Sequence, residues 1–237
     1  METHYQQELS TLKESLLKMA GLAERAIRNA VEALIQRDTA LAERTIAEDQ
    51  AINQMEILID EACLKLLALH QPMAADLRFI TSAMRINTEL ERIGDQATNI
   101  AERAVSLNRE PQLKPYIDIP RMAAITQSMV KDVLDAFVNG DSQLARSVCE
   151  RDDQVDGLND QVFRELLTYM MSDSKTITRS VHLIIVSRCL ERIADHATNI
   201  AEAVIFMTKA LVIKHYADAK GPNGKEPGPP EIKSGSA

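Results

Sequence analysis

Apolar residues recur every three or four positions from about Tyr5 to Gln36, the spacing of one buried face of an α-helix. A long first helix is predicted there. Asp38 and Thr39 then supply a cap signal for a second stretch, running to about Leu69 and stopped by Pro72. A third periodic stretch covers about Ala74 to Leu107, and Asn108 to Pro120, with three prolines, is the linker expected inside the body. Three more helical stretches follow, at about Arg121 to Asn139, Ser142 to Met171 and Thr176 to His215. Helices of roughly 30 residues would be about 45 Å long, so an elongated molecule is expected.

The two halves repeat one another. Shifting the chain by 103 residues lays Met19, Leu22, Ile27, Val31, Leu34 and Asp38 on Met122, Ile125, Val130, Leu134, Phe137 and Asp141. The second stretch keeps that register, placing Asp49, Ile52, Asn53, Met55 and Ile59 on Asp152, Val155, Asp156, Leu158 and Val162. Beyond the next connection the offset becomes 100, and ERIGDQATNIAE (Glu91 to Glu102) falls on ERIADHATNIAE (Glu191 to Glu202) with two differences. A repeat of this length is too long for a solenoid unit and suits a duplicated three-helix bundle. The expected fold is therefore all-α: two tandem homologous three-helix bundles built from six long helices. Residues 1–108 form the first bundle, 109–120 the linker, 121–216 the second bundle and 217–237 a flexible tail rich in Pro, Gly and Lys.

Composition agrees. Of eight glycines and eight prolines, half of each set lies beyond Ala219, leaving the body too few breakers for a sandwich, barrel or doubly wound sheet. Gly94, whose counterpart is Ala194, reads as a tolerated helical position. No apolar run reaches the length of a membrane span, and METHYQQELS lacks the features of a signal peptide, so a cytoplasmic protein is expected. A net charge of -8 with 3% aromatic residues argues against nucleic acid and turns attention to metals or basic protein surfaces. Cys63, Cys149 and Cys189 stand singly and are expected as reduced core residues. The ten methionines, Met170 and Met171 included, are expected to fill core gaps.

Candidate chemistry lies on the polar sides of these helices. In the third stretch Leu90, Ile93, Ala97, Ile100 and Ala104 mark the buried face. Glu91, Asp95, Thr98, Asn99 and Glu102 collect on a different face, mostly opposite, and the sixth stretch repeats them as Glu191, Asp195, Thr198, Asn199 and Glu202. Asp49, Asn53, Glu56 and Asp60 flank the apolar face of the second stretch; Asp152, Asp156 and Asn159 do so in the fifth. Like charges four residues apart are mildly destabilising. Two such stripes facing at about 6 Å would repel by roughly 1 to 3 kcal/mol per pair, a sign that a multivalent cation reverses. Oxygen donors without thiolate or imidazole suit magnesium, calcium, manganese or iron.

A face rich in Glu and Asp is ordinarily just solvated, and Arg92, Arg103 and Arg192 stand close enough to pair with it. Against that, both copies keep uncharged Thr and Asn where any polar residue would serve solubility. The five histidines share no ligand spacing, and His196 reads as a surface residue. No P-loop, dinucleotide fingerprint or nucleophile elbow is present. A di-metal carboxylate oxidase or metal-storage bundle, the enzymatic alternative, needs ExxH pairs projecting inward, and the sequence has none.

ERIGDQATNIAE and ERIADHATNIAE, each closing a three-helix repeat, resemble the signature of the PhoU family, as do Ile59 to Arg78 and Val162 to Asp173. The resemblance covers about Met1 to Tyr216. It implies a cytoplasmic, non-enzymatic accessory protein of the phosphate-specific transport system, commonly dimeric. Such proteins restrain uptake by the Pst ABC transporter and the phosphate-responsive histidine kinase, through contacts with the transporter ATPase and the kinase, and meet the membrane only through these partners. It further implies iron, zinc or other metal clusters at E/DxxxD motifs. Here these are Glu91 with Asp95, Glu191 with Asp195, Asp152 with Asp156 and, by position, Asp49 with Asn53, where the amide departs from the pattern and Glu56 with Asp60 offers compensation.

Overall fold

The computed structural model describes residues 4–211. Its helices are α1 (His4–Gln36), α2 (Thr39–His70), α3 (Ala74–Asn108), α4 (Asp118–Asn139), α5 (Ser142–Cys149), α6 (Asp152–Ser172) and α7 (Ile177–Lys209), with a short 3-10 turn at Ser174–Thr176. No strand occurs among the described residues. The tail expected over 217–237 lies outside them.

The repeat is visible in the caps. Asp38 accepts a hydrogen bond from the Leu41 amide at 2.9 Å, and its counterpart Asp141 accepts from Gln143 and Leu144 at 2.9 and 3.0 Å. Each aspartate satisfies donors that a helix start leaves unpaired. The preceding turns need positive φ, at Arg37 (φ 56) and at Gly140 (φ 64). Arg37 also reaches across to the end of α3, donating to the Asn108 and Glu110 carbonyls at 3.0 and 2.5 Å. That guanidinium ties the start of the linker to the α1–α2 turn.

Three features differ from the sequence reading. The stretch predicted as one helix from Ser142 to Met171 is interrupted at Glu150 and Arg151, giving α5 and α6. Both residues keep right-handed backbone angles, and at the break the Arg151 guanidinium is held by Asp132 of α4 at 2.7 Å and by Ser128 at 3.0 Å. Asp152 and Asp153 then occupy the first turn of α6, where the helix dipole favours acids. The second difference is that α4 begins at Asp118, so Pro120 sits in its first turn, where a missing amide hydrogen costs nothing. The connection from α3 is also packed: Leu113 and Tyr116 rest on the core, and Lys114 is buried against Glu165. Third, Met171 is 87% exposed and fills no core gap.

The α3 and α7 helices make the widest contact and run antiparallel, as Arg85 pairs with Glu202 at 2.8 Å and Glu89 with His196 at 2.7 Å. The buried side chains of both halves form one continuous cluster, from Leu12 and Met19 through Ile93 to Ile193 and Val204. All five residues of the predicted α3 stripe are in it. The three cysteines are free thiols, and burial raises Cys63 and Cys149 to about 12 and Cys189 to about 11, so all stay protonated.

Candidate functional site

In the first half the predicted acidic residues meet along the seam where α2 packs on α3. Asp49 lies over Gly94, with its Oδ1 3.5 Å from where a Cβ would stand. It accepts from the Thr98 hydroxyl at 3.1 Å and, on its other oxygen, from the Asn53 amide at 3.1 Å. One turn along, Asn87 of α3 donates to Asp60 and to the Glu56 carbonyl, both at 2.9 Å. Asn87 is fully buried, and sequence reasoning missed it because an amide among apolar stripe residues carries no motif.

The stripes straddle the seam edge: Asp49, Asn53, Glu56, Asp60, Glu91, Asp152 and Glu191 are partly buried, while Asp95, Asp156 and Asp195 are exposed. Their carboxyls are shifted accordingly. Burial raises Glu91, helped by the charges of Asp95, Glu56 and Asp49. Burial also raises Asp95, with Asp49 adding, and Glu56, with Asp60 and Asp95 adding. Each carboxylate therefore feels acids on the facing helix, as the repulsion argument requires.

The second half repeats the arrangement between α6 and α7. Asp152 is pushed up to about 7, chiefly by burial and then by Asp195, Asp156, Asp153 and Glu191. Glu191 and Asp195 are raised by burial and by Asp156 across the seam. Asp156 itself is raised by burial, then Asp153 and Asp160. Ser187, the counterpart of Asn87, donates to Asn159 at 2.8 Å, but Phe163 replaces Asp60, so this seam is shorter.

Four predicted residues fall outside these clusters. Asn199 donates to Glu89 at 3.1 Å and Glu202 is paired with Arg85, so both face the opposite half of the molecule. Glu102 is paired with Arg103 at 2.9 Å. Asn99, eight residues beyond Glu91, is turned about 80° around the helix from it. His196 is not a surface histidine: its ring bonds Glu89 at 2.7 Å, with both side chains largely buried. Burial pushes the Glu89 carboxyl up, but the His196 and Asn199 hydrogen bonds, with the charges of His196 and Arg92, outweigh it and hold it below the usual range.

The donor set fits an oxygen-seeking cation. Every member is a carboxylate, amide or hydroxyl, and Asn53 Oδ1 and Asp152 Oδ1 are buried without a hydrogen-bond partner, the kind of orphan that a ligand satisfies. As the side chains stand, no three His, Cys, Asp or Glu residues among the described ones are gathered closely enough to hold a metal ion. Cation binding would require these carboxylates to swing together.

Fold and site define a class: a duplicated helical protein whose two halves pack through their third helices, each carrying a partly exposed acidic seam. The family model for the PhoU domain matches residues 16–104 and again 119–204, and the chain belongs to the PhoU family. It is 46% identical over 208 residues to a phosphate-specific transport system accessory protein PhoU homolog of Aquifex aeolicus, covering 88% of this chain and 94% of that one. A homolog of the same name from Pseudomonas putida is 43% identical, covering 88% and 82%. Among solved structures, PhoU from Pseudomonas aeruginosa superposes with a TM-score of 0.86 at 42% identity, covering 88% of this chain and 100% of that one. The phosphate transport system regulatory protein PhoU from Streptococcus pneumoniae gives 0.84 at 31%, covering 90% and 100%.

Proposed function

We propose that this chain is a non-enzymatic accessory protein of a phosphate-specific transport system. It restrains uptake through the Pst ABC transporter and keeps the phosphate-responsive histidine kinase inactive when phosphate is plentiful. It acts from the cytoplasm, as a homodimer, by contacts with the transporter ATPase and the kinase. Support comes from membership of the PhoU family across both halves and from relatives named for that system. The observation that carries the reading to particular residues is the duplicated acidic seam.

In this reading Asp49, Asn53, Glu56, Asp60, Glu91 and Asp95 hold cations in the first half, and Asp152, Asp156, Glu191 and Asp195 in the second. Iron, zinc, manganese, magnesium or calcium, when bound, supplies positive charge that joins the two facing stripes. The carboxylates, now held rigid, turn each seam into a fixed surface for a partner. The two orphan oxygens and the raised carboxylates are the features that favour binding. No ExxH pair in the sequence supports an oxidase.

The test is recovery of partners. Tagged chain, purified from cells grown with abundant and with scarce phosphate, retains the Pst ATPase and the kinase, more strongly when phosphate is abundant. Recovery of neither at either level refutes the adaptor reading.

A further inference from the structure

α1 meets α4 across the two halves, and Lys13 donates to the Val138 carbonyl at 2.9 Å. Between the two helices lies a cavity of about 220 Å³ lined by Glu24, Ile27 and Arg28 from α1 and Gln127, Val130 and Lys131 from α4. In the 103-residue register these are three counterpart pairs: Glu24 with Gln127, Ile27 with Val130, Arg28 with Lys131. The cavity is therefore centred where the two halves are related to one another. Its floor, Ile27 and Val130, is fully buried.

The walls carry the chemistry. Arg28 and Lys131 are both exposed, and neither forms an ion pair within 4 Å among the described residues. In a chain of net charge -8, two cations are brought to one hollow from two homologous helices, offset in part by the Glu24 carboxyl in the same wall. A guanidinium offers an oxyanion a planar fork of donors, an ammonium offers a compact point charge, and the half-buried Gln127 adds an amide donor. The volume is below the roughly 300–1,000 Å³ of sites for drug-sized ligands, so the occupant is small. Glu24 forms the remaining wall. Burial raises its carboxyl, Asp135 adds to that, and Lys131 and Arg28 oppose it. Ionised, it competes with an anion; protonated, it is one more donor.

We propose that this cavity binds a phosphate-type oxyanion, clamped by Arg28 from one half and Lys131 from the other, with Glu24 setting the affinity. The bound ion ties α1 to α4 across the junction of the two halves. Inorganic phosphate is chosen as the probe because of the function proposed above. The cavity itself does not depend on that choice, and partner recovery tests the adaptor reading separately.

Calorimetric titration of the full chain with sodium phosphate, against sodium sulfate and sodium chloride at matched ionic strength, tests the site. Saturable one-to-one phosphate binding is expected. It weakens at least tenfold when Arg28→Ala and Lys131→Ala are combined, and tightens several-fold in Glu24→Gln, which removes the competing charge while keeping the packing. Circular dichroism confirms that each variant is folded. Co-sedimentation with phosphatidylglycerol vesicles that depends on Arg28 and Lys131, without binding of free phosphate, overturns the free ion as ligand and assigns a lipid headgroup. No saturable binding of either, or equal binding by the double variant, overturns the site.

Discussion

Gly94 shows how one residue carries information that its own helix does not reveal. A Cβ at that position would stand 2.8 Å from Cδ1 of Ile52 and 3.3 Å from its Cγ2, so an alanine there forces the buried Ile52 side chain to shift. The second half solves the same contact with Ala194 against Val155, one methyl moved from one helix to the other. Gly94→Ala should gain about 1 kcal/mol of helix propensity but lose about 1 to 3 kcal/mol to overpacking, a net loss of up to about 2 kcal/mol in urea denaturation. Adding Ile52→Val, which alone costs about 1 kcal/mol, should recover most of it. Simple additivity of the two substitutions would contradict the packing argument. The glycine was visible in the sequence, but its reason lies on another helix.

Asp152 offers a second test at this scale. With its carboxyl at about 7, against roughly 4 in an unfolded chain, the folded state holds an extra proton between those values. That contribution to stability is full at low pH and is lost as pH rises through about 7. Asp152→Asn should abolish it, so in chelator the variant gains stability over the parent as pH is raised from 4 to 8. A manganese addition should stabilise the parent above pH 7 and leave the variant less changed. Parallel urea midpoints for the two proteins across that range would remove Asp152 from the site.

Helix boundaries were largely legible, because Asp38, Pro72, Gly140 and Asp141 punctuate a strong 3.6-residue pattern. The break between α5 and α6 was not, since apolar periodicity continues through it and the contact made there, Arg151 with Asp132, reaches another helix. The α3–α7 contact was hidden for a similar reason. Glu89 and His196 meet there, while their counterparts Cys189 and Gln96 occupy the mirrored position, and Gln96 Oε1 is buried without a partner. The two halves thus differ together at both positions, a paired departure from the repeat that marks a contact once the packing is known. Removing the acid by Glu89→Ala should destabilise the chain by about 2 kcal/mol, since a hydrogen bond to a charged group is lost and His196 and Asn199 are left unsatisfied. A change in urea midpoint worth less than about 0.5 kcal/mol would show that this pair does not hold the two helices together.

At the scale of the whole molecule, duplication in sequence has not produced two independent bodies. The hydrophobic cluster runs unbroken from α1 to α7, so a single cooperative unfolding transition is expected, with equal calorimetric and van't Hoff enthalpies. Two resolved transitions would contradict the shared core. The acidic stripes were legible as motifs, yet their placement in seams rather than on open faces depends on how α2 crosses α3 and α6 crosses α7. Asn199 and Glu202 shared the motif but were turned by the same helix toward the other half. In the proposed function the seams, when they hold cations, present the surface that a transporter partner binds. The deciding quantity is the affinity of purified Pst ATPase for this chain, measured with manganese, with chelator, and for the chain carrying Glu91→Ala, Asp95→Ala, Glu191→Ala and Asp195→Ala. Binding should fall at least tenfold with chelator and equally in the folded variant; affinity unchanged by either rules out the seams as the cation-dependent surface.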